Sequence, residues 1–390
     1  MPRSIAVFVV FALLLPLAPV RAADLKVAGW IPWWQDTAGV KSATKQIKKL
    51  DTIHPFAFEV TLNGELVDKA GLKDRNWRNL FKLAGRNDVD IIPSLLWNNG
   101  AAIHAVLSDK SKRRDHIVEI VDMVENGDFD GVDIDYESKL AETKDHFSTF
   151  LRELKDELDD KMLTCTVEAR TPPDSLYRTV PATIEYSNDY KEIAKYCDVV
   201  ELMTYDQQRA DLKLNDTRKG EPYMPVSDPA WVEKVVQLAI KDIPADKIML
   251  GVPTYGREWT VTVAPDWYKS YKGNGAINQP EVKKIAKTNK VKEGRNAAGE
   301  ASFTFFPKNS PFKALDKLPV PDGTRLGFEA AARALLFANM TKIEVPVELV
   351  WYSDAAAISQ KVDLVEKYGL RGVAIFKIDG EEDPGIWKLF

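Results

Sequence analysis

Short apolar runs alternate with amphipathic ones along most of the chain. The apolar runs occupy 25–30 (LKVAGW), 51–60 (DTIHPFAFEV), 89–97 (VDIIPSLLW), 129–137 (FDGVDIDYE), 163–169 (LTCTVEA), 198–205 (DVVELMTY), 247–255 (KIMLGVPTY) and 372–378 (GVAIFKI). Runs of this length predict eight strands. Between them, Ile117, Ile120, Val121 and Val124 fall on one helical stripe that ends near Gly127, and Phe147, Phe150, Leu151 and Leu154 fall on another. Strand and helix in alternation imply parallel pairing through crossover helices, and eight repeats predict an α/β fold closed as a (β/α)8 TIM barrel.

The alternation fails after Arg257. Residues 258–345 mix one basic helix with Gly/Asn turns and a strand-like SFTFF, which predicts a small α+β subdomain inserted between strands 7 and 8. Its lysines read as a solvated helix face. At the other end of the chain, Arg3 precedes an apolar run over 5–17 and a small-residue stretch to Ala23. This pattern predicts a signal peptide over 1–22 and a secreted or periplasmic, cell-envelope protein. The run is shorter than the roughly 20 residues of a membrane helix, so no stable membrane insertion is expected after cleavage; a retained anchor is the alternative.

Net charge is −5 for 53 basic and 58 acidic residues, and becomes −7 without Arg3 and Arg21. An acidic chain excludes nucleic acid as the expected partner. Cys165 and Cys197 sit at the edges of apolar segments and read as buried small hydrophobes in preference to a disulfide scaffold, although an exported chain could oxidise them if they met. The four histidines show no ligand spacing, so neither a histidine-based metal site nor another cofactor is expected.

Chemistry concentrates in FDGVDIDYE. Strand alternation puts Asp133, Asp135 and Glu137 on one face and Val132, Ile134 and Tyr136 on the other. In a barrel the second set meets the helices, so the carboxylates point inward. Clustering them costs several kcal/mol unless protons are shared. Asp133 and Asp135 should share a proton, and Glu137, last in the row, should hold its own more tightly. A carboxylic acid at the carboxyl end of a barrel strand can protonate a leaving oxygen. Asp130, at the start of the run, suits a turn or cap. A calcium loop starting at Asp133 would need glycine where Ser138 stands.

Asp130 to Glu137 resembles the DGxDxDxE signature of family 18 glycoside hydrolases, the chitinase-like enzymes. Met203-Thr204-Tyr205-Asp206 is similar to the family's M-x-Y-D, and Gly251 to Arg257 to its G-x-P-x-Y-G-R. The segment from Tyr352 to Phe376 resembles the closing helix and strand, so the likeness spans 23–390 as one catalytic domain. Its flavour is nearest to bacterial peptidoglycan- and spore-cortex-lytic members. Two positions depart from the pattern: Ser94-Leu95-Leu96-Trp97 replaces S-x-G-G, and Phe376 stands where many members have tryptophan.

The resemblance implies cleavage of β-1,4 bonds next to N-acetylglucosamine, in peptidoglycan or chitin, by a retaining, substrate-assisted route. Glu137 would be acid and then base, Asp135 would orient the acetamido N–H, Tyr205 would hold its oxygen, and Asp133 would relay the proton. Trp30, Trp33, Trp34, Trp97, Trp259 and Phe376 would offer flat faces to the sugars, with Met203, Asp206, Tyr255 and Arg257 as further contacts; Asp206 and Arg257 could equally form a structural ion pair. A silent lectin on the same barrel, or a metal-dependent hydrolase built on the same aspartate row, is the competing reading.

Overall fold

The computed structural model describes residues 25–390; the expected signal peptide lies outside them. Eight parallel strands form the barrel: β1 (Lys26–Pro32), β2 (Thr52–Val60), β3 (Ser94–Trp97), β4 (Gly131–Tyr136), β5 (Met162–Glu168), β6 (Val199–Met203), β7 (Ile248–Pro253) and β8 (Gly372–Phe376). Each pairs with its successor, and β1 pairs with both β8 and β2, which closes the sheet. The expected eight-stranded barrel is therefore present.

Local chemistry starts and stops the crossover helices. Asp109 accepts hydrogen bonds from Ser111 N and Lys112 N and so caps Lys110–Gly127. That helix runs through Gly127 and ends on Asp128, whose φ of 53° turns the chain into β4. Ile117, Ile120 and Val124 are buried on one side of it, as are Phe147, Phe150, Leu151 and Leu154 on Lys144–Glu157. These stripes meet Val132, Ile134 and Tyr136 in one apolar layer between sheet and helices. A smaller cluster of Ala28, Trp30, Phe56, Val199, Met249 and Ala374 fills the barrel interior.

Past β7 the chain builds a second, antiparallel sheet. Strand Gly256–Ala264 pairs with Trp267–Ile277 on one side and Val345–Tyr352 on the other. The basic helix is Gln279–Asn289 and all of SFTFF but its last residue lies in strand Ala301–Phe305; a second helix, Glu329–Thr341, packs against this sheet.

The cysteine expectation is corrected. Cys165 on β5 and Cys197 just before β6 form a disulfide, with Cα atoms 6.0 Å apart. The burial was legible, since both are fully buried. The pairing was not, because the two positions are 32 apart in sequence and only the β5–β6 register brings them together. No helix of the described residues is long and apolar enough to cross a membrane.

Candidate active site

β4 carries Asp133 and Asp135 into the barrel, and Glu137 follows its last residue, with Glu137 N donating to the Trp97 carbonyl at 2.9 Å. Asp130 sits at the other end of the run, where its Oδ2 accepts from Ile91 N and ties the turn to the start of the β3 segment.

Asp133 is fully buried and well supplied with donors. Oδ2 accepts from Ser94 Oγ at 2.5 Å and from Trp30 Nε1 at 3.3 Å, and Oδ1 accepts from Thr166 Oγ1 at 2.8 Å. Burial pushes its pKa up to about 6, while His54 and the two hydroxyls pull the other way. Beneath it, His54 Nδ1 lies 2.8 Å from the Ile92 carbonyl and Nε2 lies 3.0 Å from Glu201 Oε1. Both ring partners are acceptors, so the ring is a double donor, an imidazolium. Burial opposes that charge, but Glu201, and then Asp133, outweigh it and raise the pKa to about 9. His54, Asp133 and Glu201 are close enough to meet one metal ion. Both oxygens of Asp133 and both nitrogens of His54 are engaged in hydrogen bonds, and Glu201 accepts from His54 through Oε1 while its Oε2 has no partner among the described residues, so the set reads as a buried ionic relay.

Asp135 is different. It is 3% exposed, and its Oδ1 meets no donor among the described residues. Burial first, then the charges of Glu137 and Asp133, raise its pKa well above the carboxylate range. Glu137 is also raised, by burial and then by Glu168 and Asp206, against Lys139. Asp135 and Glu137 oppose each other's ionisation, as expected of neighbours in the inward row, and Glu168 from the next strand adds a further anion beside Glu137.

These groups open into a cleft of about 380 Å³ at the carboxyl end of the strands, floored by Phe376 and walled by Trp30, Phe56, Met203, Tyr205, Asp206, Glu168 and Trp231. Phe376 stacks on Tyr205 at 5.4 Å between ring centres and meets Trp30, Phe56 and Tyr255 edge-on. Tyr205 is held there because Gly251 has no side chain: a Cβ at that position would lie 2.9 Å from the tyrosine ring and 2.4 Å from the Leu202 carbonyl. Burial raises the Tyr205 pKa well above its ordinary value, so it remains a phenol. A more open depression of about 680 Å³ around Arg170, Tyr186 and Tyr190 contains none of the β4 carboxylates.

The remaining expected contacts separate into four groups. Trp33 stands outside the cleft wall, stacked on Phe56 with its rings 5.4 Å apart. Tyr255 is buried behind Tyr205. Arg257 binds Asp206 through Nε at 2.9 Å and Nη2 at 2.7 Å, so the ion-pair alternative is what forms. Trp97 is corrected outright. It shares a parity with Leu95, not with inward-facing Ser94, and lies 2% exposed in the sheet–helix layer against Tyr136 and His116. Trp259 is likewise buried in the core of the second sheet. Reading the expected motif positions left His54, Thr166, Glu168, Glu201 and Trp231 unnamed. The signal for four of them was present as polar residues at alternating positions on the inward faces of β2, β5 and β6.

A family model described as "Glycosyl hydrolases family 18" matches residues 26–381. Among curated relatives, an uncharacterized glycosylase, YvbX, of Bacillus subtilis is 22% identical over all of this chain and 98% of its own length. A cortical fragment-lytic enzyme of the same organism is 25% identical over 73% of this chain, and the match spans 54% of that relative, about half its length. Of solved structures, a chitinase from Chromobacterium violaceum superposes with a TM-score of 0.67 at 18% identity, over 94% of this chain and 97% of its own, a likeness of fold. With the family match running from β1 past β8, the chain belongs to family 18 of the glycosyl hydrolases and is a glycoside hydrolase.

Proposed function

We propose that the protein cleaves β-1,4 bonds next to N-acetylglucosamine in peptidoglycan or chitin, outside the cytoplasm, by a retaining, substrate-assisted route. The observation that carries this reading is Asp135 Oδ1, a buried acceptor that no donor of the described residues reaches, beside Glu137 in an aromatic-floored cleft. An unmatched buried acceptor costs about 1–3 kcal/mol, and an acetamido N–H seated there would offset that cost.

In this scheme the substrate's acetamido oxygen attacks C1 as Glu137 gives its proton to the departing glycosidic oxygen. The C1–O bond breaks, and an oxazolinium ring closes. Asp135 accepts the acetamido N–H, and the Tyr205 hydroxyl donates to the acetamido oxygen, before and during charge development. Asp133, charged through its ring of donors, faces Asp135 from below and shares its proton. Glu137, now a carboxylate, takes a proton from water as the water adds to C1 and reopens the ring.

Support for the substrate class comes from relatives named for cortical fragment lysis and from chitinases. Glu137→Gln tests the scheme with two probes, chitin oligosaccharides and muropeptide glycans. Release of reducing ends should fall by about 10²–10⁴-fold while glycan binding persists. Full activity in this variant would refute the role of Glu137. Turnover of only one probe by the unaltered protein assigns the polymer.

A further inference from the structure

Glu168 closes β5 and lines the same cleft as Glu137. Its Oε1 accepts from Ser138 N at 2.9 Å, and its Oε2 accepts from Asn188 Nδ2 at 3.1 Å. Ser138 directly follows Glu137 and holds φ at 57°, a left-handed turn that a serine adopts only when its surroundings impose it. The Glu168 carboxylate is one such constraint. Its second property is charge. Among the described residues Glu168 makes no ion pair, whereas Asp206, the other outside anion facing Glu137, is neutralised by Arg257. The groups around Glu137 are then Asp135 on β4, Lys139 two residues on, Glu168 on β5, and Tyr205 and Asp206 after β6. Lys139 favours an ionised Glu137, and Glu168 opposes it.

We propose that Glu168 is a positioning residue for the proton donor: it fixes the turn after Glu137 and keeps beside it a negative charge that no ion pair neutralises, so that Glu137 remains protonated as the cleft meets substrate. This rests on Glu137 being the acid. Neutralising Glu168 moves the basic limb of the activity profile toward lower pH, because the anion that disfavours ionised Glu137 is gone.

Glu168→Gln isolates the charge. Its oxygen still accepts from Ser138 N, and its amide can donate to Asn188 Oδ1, which is buried with no partner among the described residues, once the Asn188 amide turns over. The pH profile of kcat/KM on chitin oligosaccharides and muropeptide glycans, each normalised to its own acid-side plateau, should show a basic limb lowered by roughly 0.5–1 pH unit. Glu168→Ala, which also frees Ser138, should lower the limb equally and reduce kcat by about tenfold more. An unmoved limb in Glu168→Gln, or an equal loss at every pH, overturns the proposal. Glu137→Gln run alongside separates the failures. If that variant is inactive and the Glu168→Gln limb is unmoved, only the role of Glu168 falls; if it is active, the acid assignment falls and this inference with it.

Discussion

The Cys165–Cys197 bridge offers the most direct test of the tertiary arrangement, because its contribution follows from one number. A cross-link at a sequence separation of 32 removes loop-closure entropy from the unfolded chain worth about 3–4 kcal/mol at 25 °C. Both cysteines are fully buried, so replacing them with alanine would add a cavity cost of about 1 kcal/mol and blur the result. Reduction keeps the sulfurs in place and isolates the cross-link. Oxidised protein and protein reduced in denaturant, then refolded with dithiothreitol, are compared by urea unfolding and by thermal melting. For a chain of 390 residues, 3–4 kcal/mol corresponds to a fall in Tm of about 5 °C. The cleft should keep its activity below that temperature, since neither sulfur lines it. Two free thiols per chain on titration of unreduced, denatured protein, or a reduced form within 0.5 kcal/mol of the oxidised one, would refute the reasoning.

Trp97→Ala should cost about 3–5 kcal/mol in urea unfolding, as loss of a fully packed core ring, and leave KM for glycan within twofold; a large KM effect would restore it to the cleft. Phe376→Ala should do the reverse, raising KM and lowering kcat by tenfold or more through loss of the floor under the sugar, as steady-state kinetics will read. His54 is raised from 6.5 to about 9, so its stabilising contribution is complete below pH 6.5 and is lost as pH rises through 9. Unfolding free energy should therefore drop between pH 6.5 and 9.5, and His54→Gln should flatten that part of the curve.

Parity explains much of what was legible. Asp133 and Asp135 turn inward, and Val132, Ile134 and Tyr136 outward, because successive side chains on a strand must oppose each other. Applied to β3, the same rule would have sent Trp97 outward with Leu95; proximity to a strand end was a poorer guide than parity. Glu168 and Glu201 occupied inward positions on β5 and β6 and were legible as such, but their partners were not. Ser138 and Asn188 reach Glu168 from two different loops, and His54 reaches Glu201 from across the barrel.

Alternation of strand and helix, the order of the eight strands and the carboxylate row on one face belong to the sequence alone, since they depend only on local periodicity and on the rule that parallel strands need crossovers. The disulfide, the imidazolium beneath Asp133, the partnerless Asp135 oxygen and the anion beside Glu137 were decided by tertiary structure. Closure of the barrel sets residues 30 to 150 positions apart within hydrogen-bonding distance, and burial then determines which of them hold charge.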